Sequence, residues 1–348
     1  MTKREELLAE AARRILIKDG PYGTAIQAAK LSEEDYRRST GLERDQKGNN
    51  DLVNLTRPDV IRSICDQYID AGASLLATNT FNANRISQGD YAAEALVAEM
   101  NIAAARVIRE AVDAATARDG VKRFVAGAMG PTNKTLSLSP RVEDPGYREV
   151  TFDEVKDVYR EQAAALVEGG VDFILVETVF DTLNCKAAIS GVRELAQDLG
   201  RDIPLMLSLT LTDLSGRNLS GHTVEAFWHA VRHAKPIAVG LNCSFGAEQL
   251  RPHVQVLSAI ADTLLMAYPN AGLPNELGAY DEAPETTASL VKRWADNGQV
   301  NILGGCCGNT PEHIAAMTRA VAGIAPRQVP HPAVATRLAG LEPFTMAA

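Results

Sequence analysis

Short apolar runs rich in β-branched residues recur along the chain and alternate with amphipathic stretches. The runs begin at Ile15, Ala73, Arg123, Val171, Pro204, Ile237, Thr263 and Val300. Their nearly continuous apolar character is typical of strands covered on both faces, as in parallel sheets. Amphipathic stretches such as 59–71, 152–169 and 287–297 predict helices between them. The phrases DAGAS, EGGVD and DNGQV indicate that a helix ends on glycine and the next strand begins at once.

Eight strands with intervening helices predict a single-domain (β/α)8 TIM barrel. We assign residues 1–325 to the barrel and its N-terminal helix, and 326–348 to a proline-containing C-terminal tail. A doubly wound open sheet is the alternative, but it usually has fewer strands, and the first turn here reads DGPYGT instead of GxGxxG. The longer insertions follow strands, where barrel active sites lie. They cover residues 36–52, 132–150, 212–222 and 270–285.

Composition excludes several classes of partner. The 348 residues carry a net charge of −9 without a long basic cluster, which argues against nucleic acid. The charged N-terminal segment lacks the apolar centre of a secretory signal, and the apolar runs are too short to span a membrane. Five cysteines in such a chain indicate a reducing compartment. We therefore expect a cytoplasmic enzyme that acts on a small metabolite.

Three cysteines lie at strand ends and form a candidate metal site. Cys243 ends the sixth run, in GLNCS, and Cys306 and Cys307 follow the eighth, in GGCCG. Zinc favours thiolates, and three sulfurs leave a fourth position open for a substrate thiol. Such a pair can also be two small buried residues, but the flanking glycines and the matching position of Cys243 favour metal. Cys65 and Cys185 lie in helical stretches and are predicted to pack.

Several long strings resemble one known family. They include KGNND, GASLLATNTFNAN, GAMGPTNKTLSLSP, ILVETVFDTLNCKAA, YPNAGLPN and GGCCGNTPEHI. Together they resemble the homocysteine-binding methyltransferase barrel, and within it the N-terminal homocysteine module of cobalamin-dependent methionine synthase. The resemblance covers roughly residues 15–344. It implies a zinc-dependent homocysteine S-methyltransferase that gives methionine and takes the methyl group from methylcobalamin.

The methyl donor is the open part of this interpretation. Folate and cobalamin modules are not recognised in these residues, so we expect a separate folate- and cobalamin-binding subunit of a split methionine synthase to dock on the barrel rim. Tyr22 and residues 132–150 are expected on that rim. Betaine- and S-methylmethionine-dependent enzymes share the zinc cysteines and are the alternative. Further alternatives are a non-catalytic zinc or thiol-binding module and a zinc hydrolase, the latter disfavoured because three thiolates make the metal a poor Lewis acid.

The resemblance also implies roles for four polar residues. Glu177, at the end of the fourth strand, would hold the substrate amine. Asp19 ends the first strand and matches an aspartate of the family turn, while Asn242 precedes Cys243 and would orient the site. Asn270 matches an asparagine that occupies the open zinc position when substrate is absent.

The first turn departs from the family pattern. Where the family has a glycine pair followed by methionine and glycine, this chain reads Gly20-Pro21-Tyr22-Gly23. Proline lacks a backbone N–H and has a fixed φ. A substrate carboxylate held by that N–H in relatives must be bound otherwise here, with Gly20, Thr24 and the Tyr22 hydroxyl as candidates.

Overall fold

A closed ring of parallel strands lies at the centre of the computed structural model, which describes residues 1–346. Over those residues the strands are β1 (Leu16–Ile17), β2 (Leu75–Ala77), β3 (Phe124–Met129), β4 (Phe173–Val179), β5 (Leu205–Leu209), β6 (Ala238–Gly246), β7 (Leu264–Asn270) and β8 (Ile302–Leu303). They pair in parallel from β2 round to β8 and β1, and a bridge between Lys18 and Leu75 joins β1 to β2. The predicted (β/α)8 barrel is confirmed.

Helices surround the ring and connect its strands. They are α1 (Lys3–Arg13), α2 (Tyr22–Ala28), α3 (Glu33–Arg37), α4 (Val53–Thr56), α5 (Pro58–Asp70), α6 (Arg85–Gln88), α7 (Val97–Asp119), α8 (Phe152–Gly169), α9 (Thr182–Leu199), α10 (Val224–Val231), α11 (Ala247–Ile260), α12 (Pro284–Asp296) and α13 (Pro311–Val321). Short 3₁₀ turns cover Asn50–Leu52, Gly89–Tyr91, Glu94–Leu96 and Arg232–Ala234. Gly170 and Gly200, with φ of 100° and 62°, end α8 and α9 in the left-handed conformation that glycine adopts readily. Within residues 1–346, none of the helices is long and apolar enough to cross a membrane.

The barrel interior is filled by every second residue of the strands. Leu16, Phe124, Phe173 and Met266 are completely buried there and pack with inward residues of the other strands. Helix α1 joins the same cluster through its buried Leu7, so it closes the end of the barrel opposite the carboxyl ends of the strands. A second, larger core lies between the strands and the surrounding helices. Both cores are apolar, and neither needs a metal to form.

The C-terminal tail lies along the outside of the barrel. Buried Arg327 donates hydrogen bonds to the carbonyls of Ser258, Ala261 and Thr263, near the start of β7. Further on, the antiparallel strands β9 (Arg337–Ala339) and β10 (Pro343–Thr345) form a hairpin on α10. The Leu341 carbonyl in its turn accepts a 3.1 Å hydrogen bond from the backbone N–H of Thr223. The tail therefore passes from the closed end of the barrel to the loop that follows β5.

Candidate functional site

A polar layer lies above the apolar layers of the barrel interior. Lys18, Glu177, Asn242 and Tyr268 each follow an inward position of their strand by two residues, so strand alternation also directs them inward. All four line a cavity of about 240 Å³ at the carboxyl ends of the strands. This is the end where (β/α)8 barrels carry their active sites.

The ends of β6 and β4 depart from regular strand geometry. Side chains alternate along a regular strand, so an inward Asn242 would direct Cys243 outward. Cys243 instead has a φ of 63°, the pairing register shifts beyond Asn242, and both side chains line the cavity. In β4, Thr178 has a φ of 57°, and both Glu177 and Thr178 line the cavity. Left-handed backbone at such non-glycine residues costs about 1–3 kcal/mol each and concentrates at functional sites.

The three predicted cysteines converge at this cavity. The Sγ atoms of Cys243, Cys306 and Cys307 all lie within 4.8 Å of one another, and those of Cys243 and Cys307 are 3.8 Å apart. All three residues line the cavity and are partly exposed to it. Cys65 and Cys185 are instead buried in α5 and α9, which confirms their predicted packing role.

Backbone contacts hold the cysteine pair that follows β8 against the end of β7. The N–H of Cys306 donates to the Pro269 carbonyl at 2.8 Å, and the Cys307 carbonyl accepts from the N–H of Ala271 at 2.9 Å. The next residue, Gly308, has a φ of +77°, and a Cβ there would lie 2.3 Å from Cβ of Tyr280. Glycine at this position therefore lets the loop after β7 close over the sulfurs.

The sulfur cluster stabilises one negative charge, on Cys307, whereas hydrogen bonding to Cys307 raises the pKa of the thiols of Cys243 and Cys306. Hydrogen bonds from the thiols of Cys243 and Cys306, together with one from the Tyr280 hydroxyl, outweigh the effect of burial and lower the pKa of Cys307 to about 3. Burial, together with the neighbouring Cys307, raises the pKa of Tyr280 to about 12. The thiolate is the form of cysteine that binds metal. The cluster could therefore hold a metal ion in place of its protons.

Asn242 is hydrogen-bonded to residues of β4 and β5 and lies beside the cysteine pair that follows β8. Its side-chain oxygen accepts hydrogen bonds from the N–H of Thr178 at 3.1 Å and from Ser208 Oγ at 2.6 Å. Its side-chain nitrogen donates to Thr178 Oγ1 at 2.8 Å and lies 3.8 Å from Cys306 Sγ. The residue is buried, and its side chain links Thr178 in β4 to Cys306.

Glu177 is one of two carboxylates in the lining of the cavity, the other being Asp51. Its Oε2 accepts a 3.0 Å hydrogen bond from the Tyr268 hydroxyl, and the side chain stays partly exposed to the cavity. Burial raises the pKa of Glu177, while Lys18 and the Tyr268 hydroxyl oppose that shift. A cationic ligand group would favour the charged form further.

Asp19 lies below the cavity wall and does not line it. The residue is completely buried, its Oδ2 accepts from the N–H of Ala77 at 2.8 Å, and its Oδ1 accepts from Lys18 Nζ at 2.8 Å. Asp19 therefore holds β2 and the Lys18 ammonium in place. Sequence reasoning missed Lys18 and Tyr268. The signal was their spacing, since each lies two residues beyond an inward apolar residue of its strand.

Asn270 was expected to fill the open metal position, and Tyr22 was expected on the docking rim. The Asn270 Oδ1 atom is buried without a hydrogen-bond partner among the described residues, and its Nδ2 is 3.4 Å from the Tyr280 hydroxyl. Tyr22 is buried with its ring 6.1 Å from that of Tyr68 in an edge-on arrangement. Tyr22 lines the cavity at the open end of the barrel, but its buried side chain offers little surface to a docking partner. Its side chain packs under the first turn because α2 begins there and directs it inward.

Comparisons with known proteins agree with the barrel fold and identify a family. The sequence profile described as homocysteine S-methyltransferase matches residues 16–321. The metallated form of the homocysteine methyltransferase MmuM from Escherichia coli is similar in structure, with a TM-score of 0.71 and 22% identity over 91% of this chain and 99% of that one. Its apo form matches with a TM-score of 0.66 and 21% identity, over the same shares of the two chains. The profile match spans most of the barrel, and the chain belongs to the homocysteine S-methyltransferase family.

Proposed function

We propose that the protein binds zinc through Cys243, Cys306 and Cys307 and transfers a methyl group to the thiol of homocysteine, giving methionine. The observation that carries this proposal is the convergence of three sulfurs within 4.8 Å at one wall of the cavity. Family membership supplies the reaction class, and the cavity supplies a place for a small thiol beside the sulfurs.

The residues present fit a zinc ion. Three thiolates with an open fourth position are a ligand set of catalytic zinc. The unpartnered, buried Oδ1 of Asn270 supports the expectation that this amide fills the open position when substrate is absent. The lowered pKa of Cys307 provides one thiolate before any metal is bound.

Each group at the site has a distinct task in this proposal. A zinc ion held by the three cysteines would lower the pKa of the substrate thiol, so that the thiolate exists at neutral pH. Glu177 binds the substrate ammonium, and Asn242 holds the cysteine pair in register with β4. The thiolate sulfur then attacks the methyl carbon in line: a sulfur–carbon bond forms, and the donor leaves with the electron pair of the bond that breaks. Positioning of the two reactants supplies most of the remaining acceleration.

Methylcobalamin on a separate folate- and cobalamin-binding subunit is the donor that we propose. The support is the resemblance of KGNND and GPTNKTLSLSP to the cobalamin-dependent synthase. Both segments lie at the open end of the barrel, where Asp51 and Asn82 are shared between the ligand cavity and a neighbouring cavity of about 340 Å³. Betaine and S-methylmethionine are the alternative donors.

Removal of zinc tests the proposed function. We expect a chelator to abolish methionine formation and added zinc to restore it. Thermal unfolding of the metal-free protein should remain cooperative because the cores form without the cysteines, with the midpoint lowered only by the lost binding free energy. Methionine formation that persists in zinc-depleted protein would contradict the proposal. Loss of the fold on chelation would show that the metal is structural.

Replacement of Glu177 by glutamine should weaken homocysteine binding while zinc content stays unchanged. A hydrogen bond to a charged group contributes about 1.5–3 kcal/mol, so we expect the dissociation constant to rise by about 10- to 150-fold. Calorimetric titration measures this directly. Glu276→Gln, on an exposed loop, is the matched control and should bind like the wild type. Unchanged affinity in Glu177→Gln would leave this carboxylate without a role in substrate binding.

A further inference from the structure

We propose that Lys18 binds the α-carboxylate of the amino-acid substrate, beside the ammonium site at Glu177. This assignment rests on the proposed function, since it concerns the same cavity and the same substrate. Lys18 is buried, and only one of its N–H donors has an acceptor among the described residues.

Lys18 lies deep in the barrel and reaches the cavity. Its side chain is 5% exposed, yet it lines the cavity together with the cysteines. The close approach of Gly304 makes room for it, because a Cβ on Gly304 would lie 2.8 Å from the Lys18 Cβ. A buried ammonium is costly unless it is paired and hydrogen-bonded. Lys18 pairs with Asp19, and its place in the cavity lining leaves the ammonium within reach of a second partner on a ligand.

The contacts of Lys18 leave donors free. An ammonium has three N–H donors. Among the described residues, one of them meets Asp19 Oδ1 at 2.8 Å, and the charge lies 4.7 Å from the centre of the Tyr268 ring. Burial lowers the pKa of Lys18, but the carboxylates of Asp19 and Glu177 outweigh burial and raise it, so the group stays charged. Donors that Asp19 does not engage can meet an anionic ligand group in the cavity.

Tyr268 places the two charges side by side. Its ring lies beneath the Lys18 ammonium, and its hydroxyl donates to Glu177 Oε2 at 3.0 Å. The cavity thus has a cation and a carboxylate that both contact Tyr268, and Asp51 is a second carboxylate in its lining. An α-amino acid carries an anion and a cation on one carbon, so its head group can pair with both while its side chain extends toward the metal-binding sulfurs. The cavity of about 240 Å³ suits such a small molecule.

The first turn lacks a backbone donor that could otherwise bind the substrate carboxylate. Pro21 lines the cavity and lacks the N–H that another residue would offer to a carboxylate. Tyr22 also lines the cavity and its buried hydroxyl has no hydrogen-bond partner among the described residues, but this neutral group cannot match the charge of a carboxylate as an ammonium does. Lys18, three residues before Pro21, supplies a cation at the same wall.

Substrate analogues that lack either the carboxylate or the ammonium distinguish carboxylate binding by Lys18 from a purely structural role. We would titrate the zinc-loaded protein with L-homocysteine, with 3-aminopropane-1-thiol, which lacks the carboxylate, and with 4-mercaptobutanoate, which lacks the ammonium. Lys18→Met should weaken homocysteine binding about 10- to 100-fold and leave the affinity for 3-aminopropane-1-thiol within about twofold of wild type. Glu177→Gln should instead weaken the binding of the ligands that carry the ammonium and leave the affinity for 4-mercaptobutanoate unchanged.

Controls keep the result interpretable if a single substitution disturbs the fold. Lys18→Met/Asp19→Asn removes the pair together, so that Asp19 is not left buried without its partner, and the amide oxygen can still accept from Ala77. Lys47→Met removes an exposed rim lysine outside the cavity and should bind all three ligands normally. Zinc content and unfolding temperature are measured for each variant. Equal loss of affinity for homocysteine and for 3-aminopropane-1-thiol in both Lys18 variants would overturn the assignment. A wild-type protein that does not bind homocysteine would overturn the proposed function itself.

Discussion

Replacement of Cys243, Cys306 or Cys307 by alanine is expected to abolish methyl transfer and to leave a folded protein without zinc. The reason is that the three sulfurs, within 4.8 Å of one another, form one ligand set, and two remaining thiolates cannot complete it. A catalytic metal contributes several kcal/mol to the barrier, so kcat/KM should fall by more than about a thousandfold. Elemental analysis after dialysis measures the zinc.

The two other cysteines provide matched controls for that experiment. Cys65 and Cys185 are buried in α5 and α9, away from the cavity. Alanine at either position should lower the unfolding temperature somewhat, since a small buried side chain is shortened, but zinc content and kcat/KM should be retained. Full zinc occupancy in Cys243→Ala, Cys306→Ala or Cys307→Ala would remove that cysteine from the ligand set.

Turnover with methylcobalamin should depend steeply on a separate folate- and cobalamin-binding subunit. A covalent linker between two modules provides an effective concentration on the order of millimolar. Between the two proposed subunits the encounter is bimolecular, so free methylcobalamin should be a poor donor and the rate should saturate with the concentration of the partner. Assays with methylcobalamin, betaine and S-methylmethionine side by side measure this. Efficient methionine formation from betaine or S-methylmethionine alone would contradict the split-synthase proposal and favour those donors.

The loop over residues 132–150 is where we expect the partner to dock. Thr132 and Asn133 line the second cavity at the open end of the barrel, and Val142 is 96% exposed. Val142→Glu should raise the partner concentration needed for half-maximal rate and leave homocysteine affinity unchanged. Leu8→Glu, on α1 at the closed end, is a control that adds the same charge to the opposite face. Equal effects of both substitutions would place the docking surface elsewhere.

The fold could be predicted from the sequence because the strands of a buried parallel sheet are strongly apolar. Each predicted run starts one or two residues before the observed strand. The glycines at 170 and 200 mark helix ends, where the left-handed conformation is required. Because parallel strands end on the same face of a barrel, the predicted strand ends also brought Cys243, Cys306 and Cys307 together.

The details of the site depend on geometry that a sequence pattern does not encode. Regular alternation would turn Cys243 away from Asn242, and only its φ of 63° brings both to the cavity. Tyr280 reaches the sulfurs from a long loop whose path depends on Gly308. The tail was predicted only as a proline-containing segment, whereas it ends in a hairpin packed on α10. Its pairing depends on the contacts with the loop after β5, which are distant in sequence.

X-ray absorption at the zinc edge, with and without homocysteine, tests the central claim most directly. The account predicts a metal bound by three sulfurs at about 2.3 Å and one oxygen or nitrogen, changing to four sulfurs when homocysteine is added. Cys243→Ala, as a control, should show no such site. A wild-type spectrum in which the number of sulfur ligands does not increase with homocysteine would contradict activation of the substrate thiol by the metal.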